Sequence, residues 1–88
     1  VVQVKEAVQK AKTYLPDVFQ SVKGKEVRLE GVELSDDAKF WIVTFSYLQE
    51  SGLAIMGGAT REYKTVKLRA KDGKFFGARN GLLDSGLL

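Results

Sequence analysis

The segment Lys39-Phe40-Trp41-Ile42-Val43-Thr44-Phe45-Ser46-Tyr47-Leu48 limits the fold of this chain more than any other. Its density of aromatic and β-branched residues marks it as a strand. Side chains alternate along a strand, so Phe40, Ile42, Thr44, Ser46 and Leu48 share one face while Trp41, Val43, Phe45 and Tyr47 share the other. Both faces are apolar, and each demands cover.

One amphipathic helix precedes this strand. Val4, Val8, Ala11, Leu15, Val18 and Val22 recur at three- and four-residue steps, Ala7, Tyr14 and Phe19 widen the stripe, and lysine and glutamine fill the opposite side. Pro16 removes the hydrogen bond to the Lys12 carbonyl and crowds that turn, which predicts a kink or short break there, with Gly24 as the stop. From Glu26 the period drops to two. Val27 and Leu29 have one parity, Val32 and Leu34 the other, which predicts a strand over residues 27–34 with a β-bulge near Gly31.

Ser35-Asp36-Asp37-Ala38 reads as a turn of residues that bond their own backbone. In the second half, Val66, Leu68 and Ala70 share a face, as do Phe76 and Ala78, across Lys71-Asp72-Gly73. A two-residue Asp-Gly turn would set Leu68 against Gly77. A three-residue turn with a left-handed Gly73 pairs Leu68 with Phe76 and Val66 with Ala78, gathering the apolar residues, and is the register expected. The fold class is therefore α+β, one N-terminal amphipathic helix packed on one face of a four-stranded antiparallel sheet. A single domain over residues 1–81 is expected, followed by an apolar tail over 82–88 whose leucines either cover a sheet edge or meet another chain.

Composition narrows the available chemistry. The 88 residues include no cysteine and no histidine, which removes disulfides, thiolate or imidazole metal sites, and Ser-His-Asp or Cys-His catalysis. Asp36-Asp37 lacks the further oxygen ligands of a calcium loop, and Gly57-Gly58 is not followed by the Lys-Ser/Thr of a phosphate loop. Tyr63, Lys64 and Lys67 on an alternating strand read as solvated side chains. The expectation is no catalytic residue, no cofactor and no metal. No apolar run approaches the roughly eighteen residues needed to span a bilayer. The net charge of +3 comes from fourteen basic and eleven acidic residues that are spread along the chain. A stripe of Lys67, Arg69 and Lys71 is the nearest approach to a nucleic-acid surface, and its size matches the solvated side of a strand instead.

The binding expectation follows from the doubly apolar strand. If Phe40, Ile42 and Leu48 meet the helix, then Trp41, Phe45 and Tyr47, flanked by Phe75, form an exposed row of the kind that marks an interaction surface. In the opposite arrangement the Trp41 face lies under the helix. The connection Ser51-Gly52-Leu53-Ala54-Ile55-Met56-Gly57-Gly58-Ala59-Thr60 carries its own apolar centre, so Leu53, Ile55 and Met56 either cap the sheet or project toward a partner. Trp41, Phe45, Tyr47, Leu53, Ile55, Met56 and Phe75 are the expected partner-binding set. A second copy in a homodimer, or another protein, would occupy it. A small apolar ligand is the alternative.

The helix Val4-Lys5-Glu6-Ala7-Val8-Gln9-Lys10-Ala11-Lys12-Thr13-Tyr14-Leu15, the Trp41-Ile42-Val43 strand core and the hairpin carrying Tyr63, Val66, Leu68, Asp72 and Gly73 resemble a PepSY-type domain. The resemblance implies a small noncatalytic module, extracytoplasmic, that inhibits or regulates by binding, with a protease as the partner. The chain differs in its basic charge, its long apolar connection and its leucine-rich tail.

Overall fold

A computed structural model describes residues 1–50 and 59–81. The element order is α1 (Val4–Val18), a 3-10 turn (Gln20–Val22), β1 (Arg28–Leu34), β2 (Phe40–Glu50), β3 (Ala59–Arg69) and β4 (Phe75–Asn80). The four strands form one antiparallel sheet in the order β1-β2-β3-β4, and α1 packs on one of its faces. This is the expected α+β architecture. The β2–β3 ladder extends to Glu50 opposite Ala59, so Ala59 and Thr60, expected in the connection, belong to a strand. Residues 51–58 and 82–88 lie outside the described residues.

The helix buries a narrower seam than the apolar stripe implies. Ala7, Ala11 and Leu15, spaced by four, are the buried positions, while Val4 and Val18 at the two ends of the helix stay substantially exposed. Alanines at successive turns let the helix backbone come close to the sheet, and Trp41, Phe45 and Tyr47 supply the bulk from below. Pro16 does not break the helix at its own position. The chain remains helical through Val18, with the Phe19 N–H bonded to the Leu15 carbonyl at 2.9 Å. The 3-10 turn then leads to Gly24, whose φ of 77° takes the chain into β1.

Two irregularities decide which side chains share a face. In β1 the register shifts between Leu29 and Gly31, so Glu30 is the extra residue. The shift brings Leu29, Val32 and Leu34 onto one face, opposite Phe45, Val43 and Trp41, as the parity switch predicts. The second irregularity corrects an expectation. Val66 pairs with Ala78 as expected, but Leu68 pairs with Phe75, and Phe76 is the extra residue between Phe75 and Gly77.

The cause of that correction lies at Ala70. Its N–H donates to the Lys39 carbonyl and its carbonyl accepts from the Val2 N–H, both at 2.8 Å. Ala70 is thereby withdrawn from the β3–β4 ladder, and the loop becomes four residues long, closed by Gly73 N–H to the Arg69 carbonyl at 2.7 Å. Val2 is held further by the Trp41 indole N–H, which donates to its carbonyl at 3.0 Å.

Gly73 adopts the expected left-handed conformation, with φ of 76°. A Cβ there would also fall 2.5 Å from Cδ of Lys10. Ala38, in the β1–β2 turn, has φ of 60° without being glycine. Such a conformation costs an L-residue about 1–2 kcal/mol. We therefore expect Gly73→Ala to lower stability by about 1–2 kcal/mol and Ala38→Gly to raise it by a few tenths to about 1 kcal/mol. Chemical denaturation midpoints of the two variants check both signs.

Candidate functional site

Helix α1 covers the Trp41 side of the sheet. Phe45 and Tyr47 are each 2% exposed, and Trp41 packs partly buried against the same core. The Tyr47 hydroxyl is satisfied by Ser21 Oγ at 2.8 Å. The expectation of an exposed aromatic row is thus corrected: Phe45 and Tyr47 are core residues wrapped within the chain, and Trp41 packs partly buried beside them under the helix. The reason is volume, since three large side chains fill the gap under an alanine seam that Ile42 and Thr44 would leave void. Phe75 is at the rim of this core, its ring 5.5 Å from that of Tyr14. Leu53, Ile55 and Met56 fall outside the described residues.

The other face carries Phe40, Ile42, Thr44, Ser46 and Leu48 from β2, with Arg61, Tyr63, Thr65, Lys67 and Arg69 opposite them on β3. Its centre is a closed polar seam. Thr44, Ser46 and Thr65 are buried, and burial of hydroxyls is tolerable only when they are bonded. Thr44 and Thr65 pair through their hydroxyls at 3.0 Å, and Thr65 Oγ1 donates to the Gly81 carbonyl at 2.9 Å. Ser46 Oγ donates to the Glu30 carboxylate and accepts from Arg61 Nη1 at 2.8 Å. Arg28 completes the chain through its bond to Glu30 at 2.8 Å. The β1 bulge is what delivers Glu30 to this position.

Among the described residues, the most exposed large apolar side chains of this face lie at its two ends. At one end Leu48 is 55% exposed, beside a cleft of about 500 Å³ lined by Lys25, Arg28 and Arg61 with Glu26. At the other, Phe76 is 57% exposed, and its ring centroid lies 4.5 Å from that of Phe40. Tilted ring pairs at such separations are favourable beyond the area they bury. The Lys67 ammonium lies 4.4 Å from the Phe40 centroid and 5.4 Å from that of Phe76. The bulge in β4 puts Phe76 here, on the face of Gly77 and Lys67, rather than under the helix.

A cavity of about 370 Å³ opens beside these rings, lined by Val1, Ala38, Lys39, Phe40, Arg69, Ala70, Lys71 and Phe76. Its lining includes three cations and no acid. The nearby carboxylates are engaged in their own turns. Hydrogen bonds from the Ser35 hydroxyl and the Lys39 N–H hold the Asp37 carboxyl below its usual range. The Lys74 N–H and the Arg69 charge do the same for Asp72, which also bridges Arg69 at 2.8 Å. Lys39, Lys67 and Lys71 form no ion pair among the described residues.

Among the described residues, no group of three or more acidic side chains is placed to hold a metal, and no helix is long and apolar enough to cross a membrane. Sequence reasoning passed over the Phe40–Phe76 pair because it placed Phe76 opposite Leu68. The Ala70 contacts that alter the register join residues far apart in the chain. The chain matches no family model, no curated protein and no solved structure.

Two outcomes follow. Phe45→Ala should cost about 3–5 kcal/mol of stability as a core cavity, whereas Phe76→Ala should stay within about 1 kcal/mol, as thermal melts will report. Asp37, Asp72 and Glu30 titrate below their ordinary values in the fold, so each stabilises above pH about 4 and loses that contribution as pH falls through its folded-state value. The melting temperature should hold level from pH 7 to about 5 and fall below about 4. In Asp37→Asn and Asp72→Asn the acid decline should be shallower.

Proposed function

We propose that this protein is a noncatalytic binding module, inhibitory or regulatory as the PepSY resemblance implies, whose working surface is the Phe40–Phe76 end of the sheet face opposite α1. The observation that carries the reading is the pairing of an exposed aromatic contact with a neighbouring cavity bounded by Lys39, Arg69 and Lys71. Exposed aromatics and arginine are among the groups that anchor protein interfaces, and charge at the rim steers the partner. A protein partner covers Phe76 and meets the Lys39 and Lys71 ammonium groups, which form no ion pair among the described residues. Self-association through Trp41, Phe45 and Tyr47 is not part of this reading, because α1 already occupies that face.

A small apolar ligand is the second reading. The volume of about 370 Å³ lies in the range of small-molecule pockets. A ligand of that kind would raise the melting temperature without any macromolecule present.

The test is paired affinity capture from the source organism, with wild-type protein and the Phe40→Ala/Phe76→Ala double variant immobilised at equal folded amounts. A partner retained by the wild type and lost by the variant is the expected result. A partner retained equally by both would place the working surface elsewhere.

A further inference from the structure

We propose that the Phe40–Phe76 end recognises a short acidic peptide segment of a partner protein, one carrying an aromatic or large aliphatic side chain between carboxylates. This rests on the binding-module reading and specifies its partner. The apolar side chain enters the cavity beside the two rings, and the flanking carboxylates meet the cations on its rim. Lys39 comes from the β1–β2 turn and Lys71 from the β3–β4 loop, so positive charge approaches the cavity from two separate elements. A peptide with acids on each side of its apolar anchor can meet both. Arg79, exposed on β4 and opposite Thr65, continues the positive charge past Phe76 along the same face.

Charge complementarity decides the class of partner. Asp37 and Asp72, in the two flanking turns, attract Lys39 and Lys71 through space but form their hydrogen bonds within the turns. No carboxylate among the described residues lies within ion-pair distance of either lysine, so both ammonium groups can take a carboxylate from a partner. A single-stranded nucleic acid also carries negative charge, but it needs free ring faces on which bases stack. Lys67 already lies over both rings, and Glu33 shares the face through its position opposite Ile42. A peptide anchor, by contrast, slots beside the rings.

Isotope-labelled protein is titrated with a peptide blocked at both ends, in which one phenylalanine is flanked by glutamates. The controls are the same peptide with glutamines for glutamates, the peptide with glycine for phenylalanine, decanoate, and an oligothymidylate. Backbone amide shifts locate the binding, and affinities are read at low and at physiological salt. The expected result is saturable shifts at Lys39, Phe40, Lys71 and Phe76, at least tenfold weaker binding for the glutamine and glycine peptides, and a similar loss in Lys39→Glu/Lys71→Glu and in Phe76→Ser. Both lysines are exposed, and a thermal melt shows that these variants fold. Equal binding of the glutamine peptide, shifts that lie elsewhere, or tighter binding of decanoate or oligothymidylate would each overturn the proposal. If the acidic peptide fails while the Phe40/Phe76 variant still loses the captured partner, the peptide inference falls and the binding-module reading stands. If that variant keeps the partner, both fall.

Discussion

The contact on which this fold depends is that of the alanine seam of α1 with the aromatic row of β2. Ala7 and Ala11 are small enough for the helix to settle close to the sheet, and Phe45 and Tyr47 are large enough to leave no void beneath it. Large-against-small packing of this kind satisfies density where two large surfaces would collide and two small ones would leave a cavity. Once that face is chosen, every other strand is oriented. Val43 brings Val32 and Val66 to the same side, and Val66 brings Ala78.

The two bulges translate this choice into surface chemistry. An extra residue reverses side-chain parity, so each bulge resets which residues of its strand lie on the helix side, Leu29, Val32 and Leu34 in β1 and Phe75 with Ala78 in β4, and turns one further side chain outward. In β1 that side chain is Glu30, which closes a bonded chain from Arg28 to Ser46 and Arg61. In β4 it is Phe76, which meets Phe40 and Lys67. One bulge thus seals the middle of the outer face with satisfied polar groups, and the other leaves an apolar contact at its end.

The N-terminal segment contributes more than its length suggests. Val2 bonds to Ala70 through its N–H and to Trp41 through its carbonyl, joining the start of the chain to β2 and to the β3–β4 loop. The same set of bonds shapes the cavity next to Phe40, because it holds Ala70 and the neighbouring Lys71 against the β1–β2 turn. Structural closure at this end of the sheet and the formation of the candidate site are one event.

Much of the architecture was legible from residues near one another in the chain. The helix is written in its three- and four-residue steps, the strands in alternation, the β1 bulge in the parity change around Gly31, and the left-handed turn in Gly73. These are local properties, governed by backbone sterics and by the period of side chains, and the amino-acid order alone determined them. The tertiary structure decided which side of β2 lies under the helix. Both sides are apolar, so alternation cannot choose between them, and the fit of Phe45 and Tyr47 beneath Ala7 and Ala11 can. It also decided the register of β4, because the bonds from Ala70 to Val2 and Lys39 draw on residues that local pattern does not connect. The candidate site depends on both decisions, since Phe40 and Phe76 meet only after the helix has taken the other face and the β4 bulge has turned Phe76 away from it.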